Sequence, residues 1–221
     1  KNLLRPADGS PISTPASKEM ALGVYYLTSE DTRIKPSSSL FGDINEVITA
    51  YQAGKVSLRQ KVTLRVEGKD IETTPGRILF NEALPEGFEF VNEPVTSTVI
   101  KRIVTQAYSA VTPEKVVRLI DDIKDLGFMG GTVSGLSFGI ADAKMLPEKD
   151  KIVKEAESRI KEIEDNFANG LITSEEKRRL SQEVWIEVTE ELADKTWEQI
   201  EPENPIRVVI DAKVGRASRD Q

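Results

Sequence analysis

The chain has 221 residues, a net charge of −7 at pH 7, and neither cysteine nor histidine. This length allows one or two domains with a buried core. The missing residue types exclude disulfides, thiolate or imidazole metal ligands, and Cys-based or Ser-His nucleophilic systems. No apolar run approaches the roughly 20 residues that span a bilayer, so no membrane contact is expected. The chain begins with lysine, and we expect it to be a piece of a longer polypeptide.

The first part of the chain predicts short, mixed elements. Helices are expected over residues 18–28, where Ser17 is a candidate cap, and over residues 43–53. Alternation of Val62, Leu64 and Val66 with polar residues predicts a half-buried strand, and residues 71–74 are expected to pair back on it as a hairpin. A further helix is expected from residue 75 and a short strand over residues 88–91.

Two longer helices are expected next. One covers residues 96–110, and Thr112-Pro113-Glu114 marks the start of the other, since Pro at the first position and an acid in the first turn favour helix initiation. Gly127 is expected to end that helix. Its apolar face comprises Val116, Val117, Leu119, Ile120 and Ile123.

Residues 147–201 account for the whole net charge of −7, because they contain 16 acidic and 9 basic residues. In the rest of the chain the acidic and basic residues are equal in number. The stretch predicts two long helices. An apolar seam with 3-4-3-4 spacing marks the first helix: Val153, Ala156, Ile160, Ile163 and Phe167. A second seam marks the other: Leu180, Val184, Val188 and Leu192. Such a charge pattern repels nucleic acid, favours protein partners and is equally typical of solvated helix faces.

Signals for a turn separate these two helices. Asn169-Gly170 is typical of a left-handed C-terminal cap, and Thr173 with Glu176 spells a capping box for the second helix. We therefore expect an antiparallel hairpin whose arms are each roughly 35 Å long. The expected fold is α+β and predominantly helical: a small mixed body of helices and strands with a projecting, long antiparallel helical hairpin (coiled coil).

Three other patterns suggest chemistry, and each has a plainer interpretation. Residues 165–176 partly match a calcium-binding loop, but Phe167 stands where an oxygen ligand is needed, which favours a capped turn. Gly131, Gly135 and Gly139 are expected to allow close backbone approach, because the lysine of a phosphate-binding loop is missing. Three acidic residues of the helix expected from Thr112 are assigned to its outer face rather than to acid–base catalysis: Asp121, Asp122 and Asp125.

Several ordered motifs resemble the β′ subunit family of bacterial DNA-directed RNA polymerases. Residues 2–28 match its N-x-L-x-P-x-x-G-x-P start and its G-x-Y-Y-L-T end, with Glu19 in place of an aspartate. Further matches are TTPGR at residues 73–77, LPEGFEFVN at 84–92, TVSGLSFGIAD at 132–142 and F-x-x-G-L-I-T at 167–173. The closing residues 204–221 are similar to the start of the family's F-loop region, with departures at Lys213, Val214 and Ala217.

The resemblance implies a pore domain over residues 1–142, and a funnel domain over residues 143–221 with the rim-helix coiled coil and the start of the F-loop region. In the family these parts line the secondary channel, where nucleoside triphosphates (NTPs) enter and the 3′ end of backtracked RNA emerges. The whole polymerase is a cytoplasmic bacterial nucleotidyltransferase. Its magnesium-binding aspartates would lie before Lys1, and its bridge helix and trigger loop after Gln221, so the fragment is not expected to be active alone.

The resemblance also implies partners: the other polymerase subunits, the rest of β′, and Gre-type cleavage or regulatory factors at the hairpin tip. The expected factor-binding residues are Asn169, Gly170, Leu171, Ile172, Thr173, Arg178 and Arg179. Arg216 matches an arginine near the incoming triphosphate, and no catalytic, cofactor-binding or metal-binding residue is expected within the chain. Two alternatives stay open, a free-standing helical-hairpin interaction module and a calcium switch at the tip.

Overall fold

A computed structural model describes residues 18–66 and 68–214, which form eight α-helices, one 3₁₀ helix and three strands. The described chain is thus mostly helical with one small sheet, as the sequence predicts. Ser17 lies outside the described residues. The elements in chain order are α1 (Glu19–Thr28), β1 (Leu40–Phe41), α2 (Ile44–Gln52), β2 (Val62–Val66), β3 (Lys69–Thr73), α3 (Pro75–Glu82), α4 (Ser97–Ala110), α5 (Pro113–Ser134), η1 (Ile140–Asp142), α6 (Lys149–Ala168), α7 (Ser174–Gln199) and α8 (Pro205–Asp211).

The described residues divide into two compact units. The first unit contains residues 18–66, 68–137 and 208–214, and the second contains residues 138–207. In the first unit, β1 pairs parallel with β2, and β2 pairs antiparallel with β3. The predicted pairing of residues 71–74 with the strand before them is therefore confirmed for residues 71–73, whereas Thr74 lies beyond the end of β3. Val62 and Leu64 are buried in a small core under this sheet, whereas Val66 is exposed.

The larger core of the first unit is formed chiefly by α1, α4 and α5, with Phe80 from α3. The apolar positions of α5 that recur every three or four residues, Val116, Leu119 and Ile123, are buried there. Val117 was expected on the same face, but it is exposed. Its position is next to Val116, and one residue along a helix rotates a side chain by about 100° away from the core.

At its closest point, helix α1 contacts α5 through the backbone of both helices. A Cβ atom added at Gly23 would lie 1.9 Å from the carbonyl oxygen of Gly127, and one added at Gly130 would lie 2.2 Å from the carbonyl oxygen of Gly23. Only glycine allows two helices to approach so closely. The sequence-based prediction that α5 ends at Gly127 is therefore wrong, because this glycine serves packing and the helix continues to Ser134.

The glycines that were expected to allow close approach do not do so. A Cβ at Gly131 would meet its nearest neighbour, the carbonyl oxygen of Glu19, at an ordinary 3.8 Å, and none lies within 4 Å at Gly135 or Gly139. Gly135 instead ends α5 in the left-handed conformation, with φ of 52°. The close contact is shifted toward the N-terminus, to Gly127 and Gly130.

The TTPGR motif joins α3 to the end of α1. Thr74 caps α3 by accepting a hydrogen bond from the Arg77 N–H at 3.2 Å. A Cβ at Gly76 would lie 1.8 Å from the carbonyl oxygen of Leu27, and the Arg77 Nε donates to the carbonyl oxygen of Thr28 at 2.9 Å. The motif therefore has a structural role, because it holds the start of α3 against the backbone at the end of α1.

The strand predicted over residues 88–91 is not formed. The Val91 N–H donates to Asn81 Oδ1 at 2.7 Å, and Asn81 Nδ2 donates to the Val91 carbonyl at 2.9 Å. An amide side chain thus satisfies the donor and acceptor that a neighbouring strand would otherwise satisfy. The segment is thus joined to α3 rather than to the sheet.

The second unit contains α6 and α7, which pack along an apolar seam. The buried residues of this seam are Ile152, Ala156, Val184 and Val188. Ile152 takes the place that the sequence assigned to Val153, so the α6 seam follows 152, 156, 160 and 163. Phe167, expected at the end of the seam, is 40% exposed.

Three ion pairs join the two helices, one near each end of the pair and one near its middle. Glu148 pairs with Lys195 at 3.6 Å, Arg159 with Glu187 at 2.8 Å, and Glu164 with Lys177 at 3.4 Å. Exposed pairs of this kind contribute little stability. Their order, rising on α6 while falling on α7, shows that the helices run antiparallel.

Along the described residues, none of the helices combines the length and the apolar character that crossing a bilayer requires.

The glycine contact between α1 and α5 predicts a sharp difference between two similar substitutions. Gly23→Ala forces a methyl group into the α5 backbone, and overpacking of this kind costs about 1–3 kcal/mol of unfolding free energy. Gly131→Ala places the same methyl at an uncrowded helical position, where alanine is favoured by up to about 1 kcal/mol. Urea unfolding followed by circular dichroism measures both. Equal stabilities of the two variants would contradict the packing described here.

Candidate functional site at the hairpin tip

Helix α6 ends in a Schellman motif. The Gly170 N–H donates to the carbonyl of Phe167 at 3.0 Å, and the Leu171 N–H donates to the carbonyl of Asn166 at 2.9 Å. Gly170 has φ of 71°, which a residue with a side chain adopts only at a cost. The two hydrogen bonds satisfy carbonyl groups that a helix end leaves open. The sequence prediction of a left-handed cap at Asn169-Gly170 is confirmed at Gly170.

Helix α7 begins with the predicted capping box. Thr173 Oγ1 accepts from the Glu176 N–H at 3.2 Å, and Glu176 Oε2 accepts from the Thr173 N–H at 2.8 Å and from its hydroxyl at 2.9 Å. These hydrogen bonds from Thr173, with a smaller contribution from the charge of Arg179, lower the pKa of Glu176 below its ordinary value. Residues 169–173 are therefore fixed by hydrogen bonds on both sides.

The calcium-loop alternative requires a different geometry. A calcium-binding loop would end α6 near Asp165, but α6 continues to Ala168, and the carbonyl of Asp165 accepts a helical hydrogen bond from Asn169. The carboxylate of Glu176, the candidate bidentate ligand, is held by Thr173. Within residues 18–66 and 68–214, no three acidic side chains are gathered as a metal ion requires. The tip has the hydrogen bonding of a capped turn.

The tip presents an apolar side chain to solvent. Leu171 is 71% exposed, and the next residue, Ile172, is half-buried. Because the backbone of both residues is held by the cap, exposing Leu171 does not depend on a flexible loop. An exposed apolar side chain on fixed backbone is a suitable anchor for a protein partner.

Two arginines lie one turn into α7, beside this apolar tip. Arg178 and Arg179 are both exposed. Arg179 pairs with Glu183 at 3.1 Å, whereas Arg178 forms no ion pair with any residue that the structure describes. The predicted factor-binding residues therefore occupy one end of the hairpin.

Sequence reasoning did not identify Lys177 as part of the tip. Its Nζ lies 3.4 Å from the Glu164 carboxylate and 5.3 Å from the centre of the Phe167 ring, so it connects both helices next to the turn. Phe167, which the sequence placed in the seam, thus lies beside the ammonium group of Lys177. The sequence feature that could have identified Lys177 is its place immediately after the capping box, where a basic residue faces an aromatic and an acidic residue of α6.

The other candidates lie elsewhere. Arg216 lies outside the described residues. Lys124 pairs with Asp121 at 3.0 Å and with Asp125 at 3.5 Å, and Arg118 lies 3.8 Å from Asp122. These three carboxylates are on the outer side of α5 and each has a basic partner, as expected for a solvated helix face.

Comparison with known proteins identifies the family. A family model described as RNA polymerase Rpb1, domain 3, matches residues 2–143. The chain belongs to this family. It is 38% identical over 208 residues to the protein named DNA-directed RNA polymerase subunit beta′ of Aquifex pyrophilus, covering 94% of this chain and 13% of that protein. The resemblance to the bacterial β′ subunit is confirmed.

Two further relatives carry the same name. The protein of Thermosipho africanus is 36% identical over 227 residues, covering all of this chain and 14% of that protein. The protein of Desulforudis audaxviator is 36% identical over 206 residues, covering 93% of this chain and 18% of that protein. The chain therefore spans less than one fifth of the relatives it matches, and the matched part includes the hairpin as well as the family domain.

We predict that removing the capping box lowers the free energy of unfolding. Thr173→Ala leaves the first N–H groups of α7 without their side-chain acceptor, which costs about 1 kcal/mol. Thr189→Ala is the matched control, because the Thr189 hydroxyl donates within the middle of the same helix, to Trp185, and caps nothing. Urea unfolding should show the loss for Thr173→Ala and a much smaller change for Thr189→Ala. A reversed order would exclude the capping role.

The lowered pKa of Glu176 predicts a pH dependence. A carboxyl whose pKa is lower in the folded state stabilises the fold above its unfolded pKa, about 4.3 for glutamate, and this stabilisation is lost as the pH falls through the folded value. Glu176→Gln keeps an acceptor for Thr173 but cannot titrate. Its unfolding free energy should fall less than that of the unmodified chain on acidification from about pH 5 to 3.

The control for this titration is Glu175→Gln, which removes a neighbouring first-turn charge but no capping hydrogen bond. Unfolding free energies of the three proteins are compared across the same pH series. If Glu175→Gln flattened the profile as much as Glu176→Gln, the effect would be one of net charge rather than of the capping box.

Proposed function

We propose that the chain is a segment of the β′-type subunit of a DNA-directed RNA polymerase, where it is a non-catalytic structural and docking element. The family match and the three β′ relatives support this assignment. As part of the polymerase it would contribute to a nucleotidyltransferase in the bacterial cytoplasm and would contact other polymerase subunits and the rest of β′. The chain is not proposed to catalyse a reaction by itself.

Within that subunit, residues 1–142 are proposed to be the pore domain and residues 143–221 the funnel domain, although residues 208–214 of the latter belong to the first compact unit. Together they would line the secondary channel for NTP entry and for exit of the backtracked RNA 3′ end, with Arg216 near the nucleotide path. The boundary between the two compact units, at residues 137 and 138, lies close to the expected boundary at 142 and 143. The motifs at residues 73–77 and 84–92 support the proposal because they match the β′ family. Both motifs also have structural roles in the first unit.

The hairpin of α6 and α7 is proposed to be the rim-helix coiled coil, with its tip as the docking place for Gre-type factors. The observation that carries this step is the double cap around an exposed Leu171. A partner that binds a preformed tip loses little conformational entropy on binding. The excess of acidic residues along the arms supports a protein partner rather than nucleic acid at this end.

The two arginines would have different roles in such a complex. Arg178, which forms no ion pair among the described residues, is available to a carboxylate of a partner without breaking an existing contact. Arg179 would first have to leave Glu183. We therefore assign the apolar anchor to Leu171 and Ile172, and the principal charged contact to Arg178.

The docking proposal is tested with the double substitution Leu171→Asp and Ile172→Asp in the assembled polymerase. Two carboxylates in place of the apolar anchor should abolish binding of a Gre-type factor, measured by fluorescence anisotropy of the labelled factor. Hairpin helicity should be retained, because the caps are formed by Gly170, Thr173 and Glu176.

The matched control is Ile186→Asp, which makes the same chemical change at an exposed residue of α7. At 1.5 Å per residue, Ile186 lies roughly 18 Å along the helix from its first residue, away from the tip. Binding should survive this change. Undiminished binding by the double variant, or equal loss in the control, would refute docking at the tip.

A further inference from the structure

Residues 126–141 include no charged side chain, although 30% of the chain is charged. In the first unit, this run forms the end of α5, where Phe128, Met129 and Val133 are exposed opposite the glycine contact. Single exposed apolar residues are common on protein surfaces. A long uncharged run with repeated exposed apolar side chains is unusual and indicates a surface that is covered by another protein surface.

Exposed apolar side chains recur in the second unit over residues 138–145, which we call the anchor segment and which also contains Asp142 and Lys144. Three of its side chains are apolar and largely exposed: Phe138 at 68%, Ile140 at 96% and Met145 at 74%. Ile140 begins the 3₁₀ helix η1, so it lies on regular backbone rather than in an irregular loop. Nothing else in the second unit that the structure describes encloses these three side chains.

Hydrogen bonds fix the anchor segment in place. The Gly139 N–H donates to Asp142 Oδ2 at 2.7 Å, and the Asp142 N–H donates back to the Gly139 carbonyl at 3.1 Å. Asn204 Nδ2 donates to the Asp142 carbonyl at 3.0 Å, and Lys144 pairs with Glu201 at 3.5 Å. The two charged residues of the segment, Asp142 and Lys144, thus have polar partners within the second unit, whereas its apolar side chains remain exposed.

The chemistry of this surface separates it from the hairpin tip. Sites that bind partners reversibly must remain soluble when empty and carry charges around their apolar anchors, as the tip does with its arginines. Permanent interfaces are more apolar and resemble a divided protein core. The anchor segment has the second character. Because the chain spans only 13–18% of the relatives described above, much of a β′-type polypeptide lies outside it and could cover the segment.

We infer that the anchor segment is buried permanently by another part of the same β′-type polypeptide, outside these 221 residues, through a contact surface centred on its apolar side chains Phe138, Ile140 and Met145. This inference rests on the proposed function. It assigns residues 138–145 to subunit assembly rather than to factor binding.

The chain has no cysteine, which allows one reporter thiol to be placed at a time. Ile140→Cys and Leu171→Cys are introduced separately into the polymerase that carries this chain. The rate of maleimide modification at each position is measured by peptide mass spectrometry, in the native assembly and in urea. Met145→Cys is a second reporter in case Ile140→Cys fails to assemble.

In the native polymerase, Ile140→Cys should react more than about tenfold more slowly than in urea, because modification then requires a local opening. Leu171→Cys should react freely and become protected only when a Gre-type factor is added. Fast modification of both Ile140→Cys and Met145→Cys in the native polymerase would overturn the inference, as would protection that appears only with the factor. Failure of the factor to protect Leu171→Cys would count against the docking proposal alone.

Discussion

The contact of α1 with α5 at Gly23, Gly127 and Gly130 is the constraint on which the first unit depends. The two backbones approach so closely that no Cβ atom fits between them. This approach sets the distance between the helices around which Ala21, Val24, Leu27 and their neighbours form the core. Gly76 repeats the arrangement where α3 meets the end of α1. Close contacts between backbones leave no space for a side chain. Residues larger than glycine are therefore poorly tolerated at these positions.

Local signals made most of the secondary structure predictable. The capping box at Thr173 and the period of apolar residues involve only neighbouring positions, so most of the helices, the β2–β3 pairing and the turn between α6 and α7 follow from nearby residues. The candidate site was predictable for the same reason. The Schellman motif and the capping box involve only residues 165–176, and both halves are visible in the sequence.

The errors occurred where distant residues decide the outcome. Glycine at position 127 looks like a helix end until the α1 backbone is present to occupy the space that a side chain would need. Residues 88–91 look like a strand until Asn81 supplies their hydrogen bonds. The choice of Ile152 over Val153 depends on where α7 lies against α6. The sequence pattern of a single element does not show which contacts it makes with distant elements. It also does not show which apolar side chains, such as Ile140, remain exposed to solvent.

The central proposal is that the capped end of the α6–α7 hairpin is a contact point for factors that act on the polymerase. Site-specific photo-cross-linking tests it most directly. A photoreactive amino acid at position 171 of the assembled polymerase should cross-link to a bound Gre-type factor, because the Leu171 side chain is held outward by its cap. Cross-links from position 171 only to polymerase subunits, while the factor is demonstrably bound, would contradict the claim.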